Sequence, residues 1–168
     1  MPVVIATTGQ TEEELSAIRE ASKEIPVFLS ANMSIGVALL AEMAKTAAKA
    51  FPDADIEIVE KHHSQKLDAP SGTALLLAKA IGEVRPGATF NCGRSGHGKR
   101  PKDEIGIHSL RMGGLVGEHE VILATPTQTI TLKHEAHSRA LFAEGALKAA
   151  AFLDGRRPGL YDVNAMLK

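Results

Sequence analysis

The fold class is decided by residues 3–50, which read VVIATTGQTEEELSAIREASKEIPVFLSANMSIGVALLAEMAKTAAKA. Residues 3–7 and 26–30 are short apolar runs, which are typical of buried strands. Each run is followed by a longer segment of helical character, at 11–23 and at 35–50. The order strand, helix, strand, helix predicts parallel strands that are joined by right-handed crossovers.

The start of the first helix has a clear signal of its own. Thr11 is followed three residues later by Glu14, which is the pattern of a capping box. Glu12 and Glu13 lie between them, where the helix dipole favours acidic side chains. We therefore expect this helix to begin just after Thr11 and to run to about Lys23.

After residue 50 the pattern changes. Apolar and polar residues mostly alternate over 54–59, which predicts a half-exposed strand ending at 60–61, and Ser71 is the expected N-cap of a helix reaching about Glu83. After a Gly-rich loop at 93–106 we expect three strands, at 105–111, 118–124 and 129–133. A last helix should run from Ser138 to about Leu153, and a Gly/Pro tail follows it. These elements predict an open antiparallel or mixed sheet with helices on one face.

Composition excludes several classes of protein. The chain has 168 residues, 44 % of them apolar, and a net charge of -1, so nothing global favours binding to nucleic acid or to an acidic membrane. Trp is absent and there is one Tyr, which argues against a base-stacking surface. No apolar run approaches the roughly 20 residues of a membrane helix. The single cysteine, Cys92, excludes an internal disulfide and fits a reducing cytoplasm.

The densest group of reactive side chains lies in residues 60–74, EKHHSQKLDAPSGTA. His62 and His63 come at the end of a predicted strand, and Lys66 follows shortly after. Residues 71–73 open the next predicted helix, where backbone N–H groups carry partial positive charge. Lysine and a helix start can each hold a carboxylate oxygen, and histidine can transfer a proton near neutral pH. The run predicts a pocket for a small molecule with more than one carboxylate.

Two other interpretations of the same run stay open. A strand end with His, Ser, Gln and Lys is often only a solvated surface, and Pro-Ser-Gly-Thr is a common way to begin a helix. A metal-dependent hydrolase using His62 and His63 is a weaker alternative, because neighbouring residues on a strand point to opposite faces and rarely bind one metal ion together.

Residues 62–73, HHSQKLDAPSGT, resemble the signature of the dihydrodipicolinate reductases, which reads roughly H-H-x-x-K-x-D-A-P-S-G-T. Such a long string is far more specific than a short glycine motif. Other segments are similar to that family in the same order along the chain: 7–9, 31–34, 111–113, 117–119 and 159–162. The resemblance covers essentially all of the chain.

The resemblance implies a two-domain subunit of mixed α/β and α+β class, usually in a homotetramer. It divides the chain into a partial Rossmann-like nucleotide-binding domain at 1–31, a mixed-sheet substrate-binding and oligomerisation domain at 32–144, and a C-terminal helix and tail at 145–168 that return to the first domain. The implied reaction is the reduction of 4-hydroxy-tetrahydrodipicolinate, a small dicarboxylate, by NADPH or NADH in lysine and diaminopimelate synthesis. We expect no metal and no nucleic-acid or membrane partner.

The functional residues of the family carry over to matching positions. His62 is implied as the proton donor or acceptor and Lys66 as a second donor. The positions implied to bind substrate are His63, Ser71, Gly72 and Thr73. The positions implied to line the nicotinamide side of the cofactor are Ala6, Thr7, Thr8, Ser30, Ala31, Asn32 and Met33. Both cofactor segments follow predicted parallel strands, at the ends where open α/β sheets bind ligands.

The chain departs from the family pattern in two places. Ala6 stands where the family has a glycine, and its methyl group would crowd the cofactor slightly. The chain also has no G-x-x-G-x-x-G turn, with which family members begin, so we expect it to lack roughly the first third of a usual subunit and to bind dinucleotide poorly. The second candidate is therefore a catalytically impaired substrate-binding and oligomerisation fragment of that enzyme.

Overall fold

The computed structural model describes residues 1–167 and divides the chain into two compact units. One unit is made of Met1–Leu39 together with the chain from Arg139 onward, and the other is Leu40–Ser138. The expected boundaries, after residues 31 and 144, differ from this division. The observed boundary between residues 39 and 40 falls inside one continuous helix, Ile35–Ala50. Ala38 of this helix packs in the core of one unit, and Ala44 packs in the core of the other.

The secondary structure follows the predicted order through most of the chain. The helices are α1 (Glu12–Ala21), α2 (Ile35–Ala50), α3 (Gly72–Gly82) and α4 (Ala140–Leu153). The strands are β1 (Val3–Ile5), β2 (Pro26–Leu29), β3 (Asp55–His62), β4 (Thr89–Cys92), β5 (Glu104–Arg111), β6 (Gly117–Ala124), β7 (Thr129–Ala136) and β8 (Gly159–Tyr161). A 3-10 helix, Val163–Met166, follows β8.

Some of the predicted bounds were wrong. β4 was not predicted, and the tail assigned as irregular contains β8 and the 3-10 helix. The predicted loop at 93–106 ends earlier, because β5 already begins at Glu104, and the last helix begins at Ala140 rather than at Ser138. β4 and β8 are only four and three residues long, so local alternation carries little signal for them, and β8 also pairs with a strand remote in sequence.

Within residues 1–167, the first unit holds a three-stranded sheet in the order β1-β2-β8, and the second a five-stranded sheet in the order β4-β5-β3-β6-β7. In the smaller sheet all pairs are parallel, with Val4 opposite Phe28 and Phe28 opposite Tyr161. This confirms the predicted parallel pairing of the first two strands. Phe28 in the central strand is fully buried and packs with Ala149 and Leu153 of α4.

The helices of the first unit begin and pack as their sequences require. Thr11 caps α1, since its Oγ1 accepts from the Glu14 N–H at 3.2 Å while Glu14 Oε2 accepts from the Thr11 N–H at 2.8 Å. The predicted capping box is thus confirmed. In α4 a Cβ added at Gly145 would lie 1.9 Å from the Met33 carbonyl oxygen, so only glycine lets the helix approach this closely.

The larger sheet is mixed, as predicted. β4, β5 and β3 are parallel to one another, whereas β6 and β7 run antiparallel to β3. Alternate residues of β3 and β5, such as Ile56, Ile58 and Ile107, pack in a core with α3 and the later turns of α2. The opposite face of the sheet carries cross-strand ion pairs, among them Lys61 with Glu118. This arrangement brings the carboxyl ends of β3 and β5 beside the amino end of β6.

Candidate functional site

The end of β3 lies between the ends of two other strands. His62, its last residue, is in register with Arg111 at the end of β5, and Glu60 is opposite His119 near the start of β6. Side chains on a strand alternate, so Glu60 and His62 point to the same face, which is the face that carries the core with α3. Polar groups from three strands therefore meet at one end of this core.

Glu60 is the centre of this polar group. Its side chain is fully buried and receives two parallel hydrogen bonds from the Arg111 guanidinium, at 2.7 Å from Nη2 and 2.8 Å from Nη1. The Ser71 N–H donates to Oε1 at 3.0 Å, and His62 Nδ1 lies 2.6 Å from Oε2. Such a set of donors is what a buried carboxylate needs to remain charged.

The ionisation of Glu60 follows from these contacts. Burial opposes the charged form, but hydrogen bonds from Arg111, then from His62, Ser109 and Ser71, outweigh burial and lower the pKa of the Glu60 carboxyl to about 2. The same contact raises the pKa of Arg111. The Glu60 carboxylate beside His62 therefore carries a full negative charge at any pH near neutrality. An ionised carboxylate can only accept hydrogen bonds.

His62 is buried and held on several sides. Its ring meets that of His119 edge to face, with 5.2 Å between the ring centroids. Beside Nε2, a Cβ added at Gly117 would come within 3.0 Å, so the absence of a side chain at Gly117 leaves room for the ring. The orientation of the ring is thus fixed by Glu60 at Nδ1 and by close neighbours around the rest of it.

His119 is a second buried imidazole at the site. Its Nε2 lies 3.0 Å from Ser71 Oγ, and among the described residues no hydrogen-bond partner meets its Nδ1. Burial, followed by the nearby His62, lowers the pKa of His119 to about 4. His119 is therefore neutral near pH 7. Its neighbour in register on β7 is His134, whose pKa burial also lowers.

The loop after His62 carries Lys66 and is bonded to the connection between β5 and β6 at one end and to Arg111 of β5 at the other. At its start the His63 N–H donates to the Leu115 carbonyl at 2.8 Å. Lys66 Nζ donates to the Asp68 carboxylate at 2.7 Å, which lowers the pKa of Asp68. The carbonyl of Asp68 accepts from Arg111 Nη2 at 2.7 Å, so the guanidinium that holds Glu60 also fixes this loop.

At the start of α3 a buried residue, Ser71, is followed by an exposed one, Gly72. Ser71 is 2 % exposed and confirms the predicted N-cap, because its Oγ accepts from the Ala74 N–H at 3.2 Å. Gly72 is exposed, and a Cβ added there would meet nothing within 4 Å. Thr73 is half-buried. Open space thus remains in front of the first helical residue, while the polar groups of Ser71 are engaged with protein atoms.

The structure joins His62, Ser71 and the loop of Lys66 through groups to which the sequence analysis gave no role. Glu60 links His62 to Ser71, and Arg111 links Glu60 to the loop of Lys66. Sequence reasoning gave no role to Glu60, Arg111 or His119. The spacing of Glu60 and His62, two apart on a strand, was a signal that they share a face. Arg111 and His119 lie in segments 111–113 and 117–119, which resemble the family, but their roles were not predicted because their partners are remote in sequence.

The first predicted cofactor segment lies in the other compact unit. Ala6, Thr7 and Thr8 come directly after β1 and are exposed. The Ser30 N–H donates to the Ile5 carbonyl at 3.4 Å, so the carboxyl ends of β1 and β2 lie side by side. Exposed backbone at the ends of adjacent parallel strands fits the edge of a nucleotide.

The second predicted cofactor segment is a turn fixed by its own side chains. Ser30 Oγ donates to the Asn32 carbonyl at 2.7 Å, and Asn32 Oδ1 accepts from the Ser34 N–H at 2.8 Å. Ala31 is exposed, whereas the side chain of Met33 is buried in the core of this unit. Of these positions Met33 can therefore offer a ligand only its backbone.

Two kinds of feature are absent from residues 1–167. No helix in that range has both the length and the apolar character needed to cross a bilayer. Nor does any set of three or more His, Cys, Asp or Glu side chains in that range come together as a metal ion would require.

Two family descriptions match the chain. "Dihydrodipicolinate reductase, C-terminus" matches residues 36–167, and "Dihydrodipicolinate reductase, N-terminus" matches residues 1–33. The longer match alone covers well over half of the chain. The two matches meet at the beginning of α2, close to where the structure divides the chain into units.

Similar proteins carry the same name. The 4-hydroxy-tetrahydrodipicolinate reductase of Caldanaerobacter subterraneus subsp. tengcongensis is 55 % identical over 100 % of this chain and 68 % of its own length. That of Clostridium tetani is 52 % identical over 99 % of this chain and 66 % of its own length. A solved structure, a dipicolinate-bound dihydrodipicolinate reductase from Paenisporosarcina sp. TG-14, is 33 % identical with a TM-score of 0.77, over 96 % of this chain and 62 % of that one. The chain therefore spans about two thirds of the length of its relatives.

Proposed function

Because the chain belongs to the dihydrodipicolinate reductase family, we propose that it acts in the NADPH- or NADH-dependent reduction of 4-hydroxy-tetrahydrodipicolinate to tetrahydrodipicolinate, a step of lysine and diaminopimelate synthesis. The observation that carries this proposal is the linkage of His62, the Lys66 loop and the start of α3 through Glu60 and Arg111.

The proposed ligand is a small ring with two carboxylates. Lys66 is a cationic feature of the site and the exposed start of α3 at Gly72 is a partly positive one, and each suits one carboxylate. A carboxylate ligand would compete with Asp68 for Lys66, since their ion pair is at an exposed position. His63 and Thr73 are half-buried beside these features and are proposed as further substrate contacts. That the solved relative holds dipicolinate supports this class of ligand.

His62 is proposed as the group that transfers the proton. After loss of water the cyclic dicarboxylate takes up a hydride at one carbon and a proton at its neighbour. The nicotinamide, when bound, supplies the hydride. His62 has Nδ1 occupied by Glu60, so Nε2 is the atom at which it can hold or release a proton. Lys66 is proposed as the second donor, and its positive charge would stabilise electrons that move onto the ring.

The nicotinamide side of the cofactor is proposed to lie along Ala6, Thr7 and Thr8 and along residues 30–33. Exposed backbone beyond β1 and the self-bonded turn beyond β2 support this assignment. In this proposal the unit of Met1–Leu39 and the chain from Arg139 onward binds nucleotide. The unit of Leu40–Ser138 binds substrate.

We also propose a homotetramer in the cytoplasm. One face of the larger sheet packs in a core, and its other face presents the half-buried Val59 and Ile122 among ion pairs. A face of this kind suits contact between copies of the chain. The exposed free thiol of Cys92 is compatible with a reducing compartment.

A coupled assay tests the proposed activity. Freshly generated 4-hydroxy-tetrahydrodipicolinate would be mixed with the chain and with NADPH or NADH, and loss of reduced nucleotide would be followed by absorbance. Turnover that is abolished by His62→Ala supports the proposal. Titration calorimetry with dipicolinate on the same sample reports on the substrate site alone.

A second candidate function is that of an impaired fragment that binds substrate and oligomerises. The chain spans 68 % and 66 % of the two relatives described above. Dipicolinate binding without turnover, and without calorimetric heat from NADPH at low micromolar concentration, would support this candidate. Turnover, or tight NADPH binding, would contradict it.

A further inference from the structure

We propose that Glu60 is a positioning residue that fixes His62, the start of α3 and the Lys66 loop relative to one another. This inference rests on the proposed function, because it assigns Glu60 a part in preparing that site. Glu60 belongs to none of the residue sets implied for substrate, proton transfer or cofactor.

The contacts of Glu60 reach three separate segments. Oε2 lies 2.6 Å from His62 Nδ1 on its own strand, and Oε1 accepts from the Ser71 N–H at 3.0 Å, one residue before α3. Both oxygens accept from Arg111, which also donates to the Asp68 carbonyl at 2.7 Å. One buried carboxylate therefore ties together every segment that carries a proposed substrate or proton-transfer residue.

The contact with His62 has a chemical consequence. An ionised carboxylate has no proton to donate, so the short contact requires that His62 Nδ1 donate to Glu60. In the neutral ring the proton is then on Nδ1, and Nε2 has its lone pair free to take a proton. The charge of Glu60 also stabilises the ring once Nε2 has been protonated, as a carboxylate does for a catalytic histidine.

Other charged and titratable groups around His62 do not replace this contact. Arg111 is held by Glu60 itself, and Lys66 is paired with Asp68. His119 meets the ring edge to face and is bonded through Nε2 to Ser71, and His134 lies one strand beyond His119. Of these groups Glu60 is the one whose atoms contact Nδ1 of His62 at hydrogen-bond distance.

A plain core ion pair between Glu60 and Arg111 is the competing explanation. Under it, the carboxylate would only neutralise the guanidinium, and its loss would lower stability without a specific effect on His62. The tautomer of His62 separates the two explanations. It can be read in the whole chain from ring nitrogen chemical shifts in two-dimensional NMR.

The first measurement uses the unaltered chain. The proposal requires that neutral His62 carry its proton on Nδ1, so its Nδ1 should give the shift of a protonated nitrogen and its Nε2 that of an unprotonated one. The opposite assignment, with the proton on Nε2, would overturn the proposal. This measurement needs no variant and no turnover.

The second measurement uses Glu60→Gln. Glutamine has one acceptor oxygen, which Arg111 and the Ser71 N–H compete for, so its NH2 group must face His62. Nδ1 then becomes an acceptor and the proton should move to Nε2. We expect dipicolinate affinity to fall about tenfold, and in a form of the protein that turns over we expect kcat to fall more than KM changes.

Glu104→Gln is the matched control. Glu104 is also buried, at 6 % exposed, and is held by Arg94 and Arg100, but it begins β5 whereas Arg111 ends that strand. The control removes a buried charge of the same kind without touching His62. It should keep the His62 tautomer and change dipicolinate affinity less than twofold. Equal effects of the two variants, or an unchanged tautomer in Glu60→Gln, would refute the positioning role.

The outcomes also separate this inference from the proposed function. If the unaltered chain shows the Nδ1 proton and Glu60→Gln moves it, the effect of Glu60 on His62 stands. If the same unaltered chain gives no heat with dipicolinate, it is the proposed function that fails.

Discussion

The hydroxyl oxygen of Ser71 lies 3.0 Å from Nε2 of His119, which joins the cap of α3 to the start of β6. The same oxygen accepts from the Ala74 N–H, so it is shared between the helix and the sheet. His119 is 4 % exposed and its other ring nitrogen has no hydrogen-bond partner among residues 1–167. A proton on this imidazole would therefore be poorly stabilised in the folded chain.

Folding stability should depend on His119 between pH 7 and pH 5. The pKa of His119 in the folded chain, about 4, lies below its usual value near 6.5, so the unfolded chain binds more protons in this window. Its contribution is complete above about pH 6.5 and is lost as the pH falls toward 4. We expect a loss of roughly 2 kcal/mol in the free energy of unfolding from pH 7 to pH 5.

His119→Gln serves as the comparison for that measurement. Glutamine keeps a polar atom for Ser71 but does not titrate, so urea unfolding followed by circular dichroism should show a smaller pH dependence for the variant. His134, whose pKa is also lowered, accounts for part of what remains. Glu60, with a pKa of about 2, loses its charge only at lower pH. Identical pH dependence of the unaltered chain and the variant would contradict the role given to His119.

Gly117→Ala should disturb His62. The added Cβ would lie 3.0 Å from Nε2, closer than carbon normally approaches, and Glu60 limits how far the ring can move away. We expect kcat to fall by about tenfold because a small displacement of a reacting group is costly. Gly114→Ala, in the turn before β6, adds the same atom where nothing lies within 4 Å and should leave kcat unchanged. Similar losses in both variants would point to the turn rather than to His62.

His62→Ala should lower turnover far more than ligand affinity. Removal of a general acid or base typically costs a factor of about 10² to 10⁴ in rate. The features proposed to bind carboxylates, at Lys66 and Gly72, remain in place, so dipicolinate affinity should change only a few-fold. His97→Ala, in an exposed loop, is the control for loss of an imidazole. Unchanged kcat in His62→Ala would remove His62 from its proposed role.

Gly145→Ala should destabilise the unit that contains α4. Alanine is favoured over glycine inside a helix by about 1 kcal/mol, but here its Cβ would overlap the Met33 carbonyl oxygen at 1.9 Å. The backbone must move, and we expect a net loss of about 2 kcal/mol in thermal or urea unfolding. Gly82→Ala in α3 meets Phe90 at an ordinary 3.5 Å and should be neutral or stabilising. A gain of stability from Gly145→Ala would show that the helix can shift without cost.

Features that depend on neighbouring residues could be predicted from the sequence. The capping box of Thr11 and Glu14 and the cap at Ser71 were recognised because their partners lie three residues away. The bounds of α2 were predicted in full because an Ala-rich run after a turn has strong helical character. In the larger sheet β3, β5, β6 and β7 were recognised from their local sequence, whereas β4 was not.

Features that depend on pairing across the fold could not be predicted in this way. Glu60 and Arg111 are 51 residues apart, and Ser71 and His119 are 48 apart. A single carboxylate in a strand looks like a solvent-exposed residue until the strands beside it are known. β8 was missed for the same reason, since its three residues form a strand only because β2 offers an edge.

The order of strands in the smaller sheet affects how the chain is completed during synthesis. β2 is the central strand, and its partner β8 is made only after residues 40–138, a continuous stretch that forms the other unit by itself. On a ribosome that stretch can fold first, since a unit formed by continuous sequence folds as it emerges. One edge of β2 therefore stays unpaired until residues 159–161 have left the exit tunnel, and until then it is open to pairing with another chain.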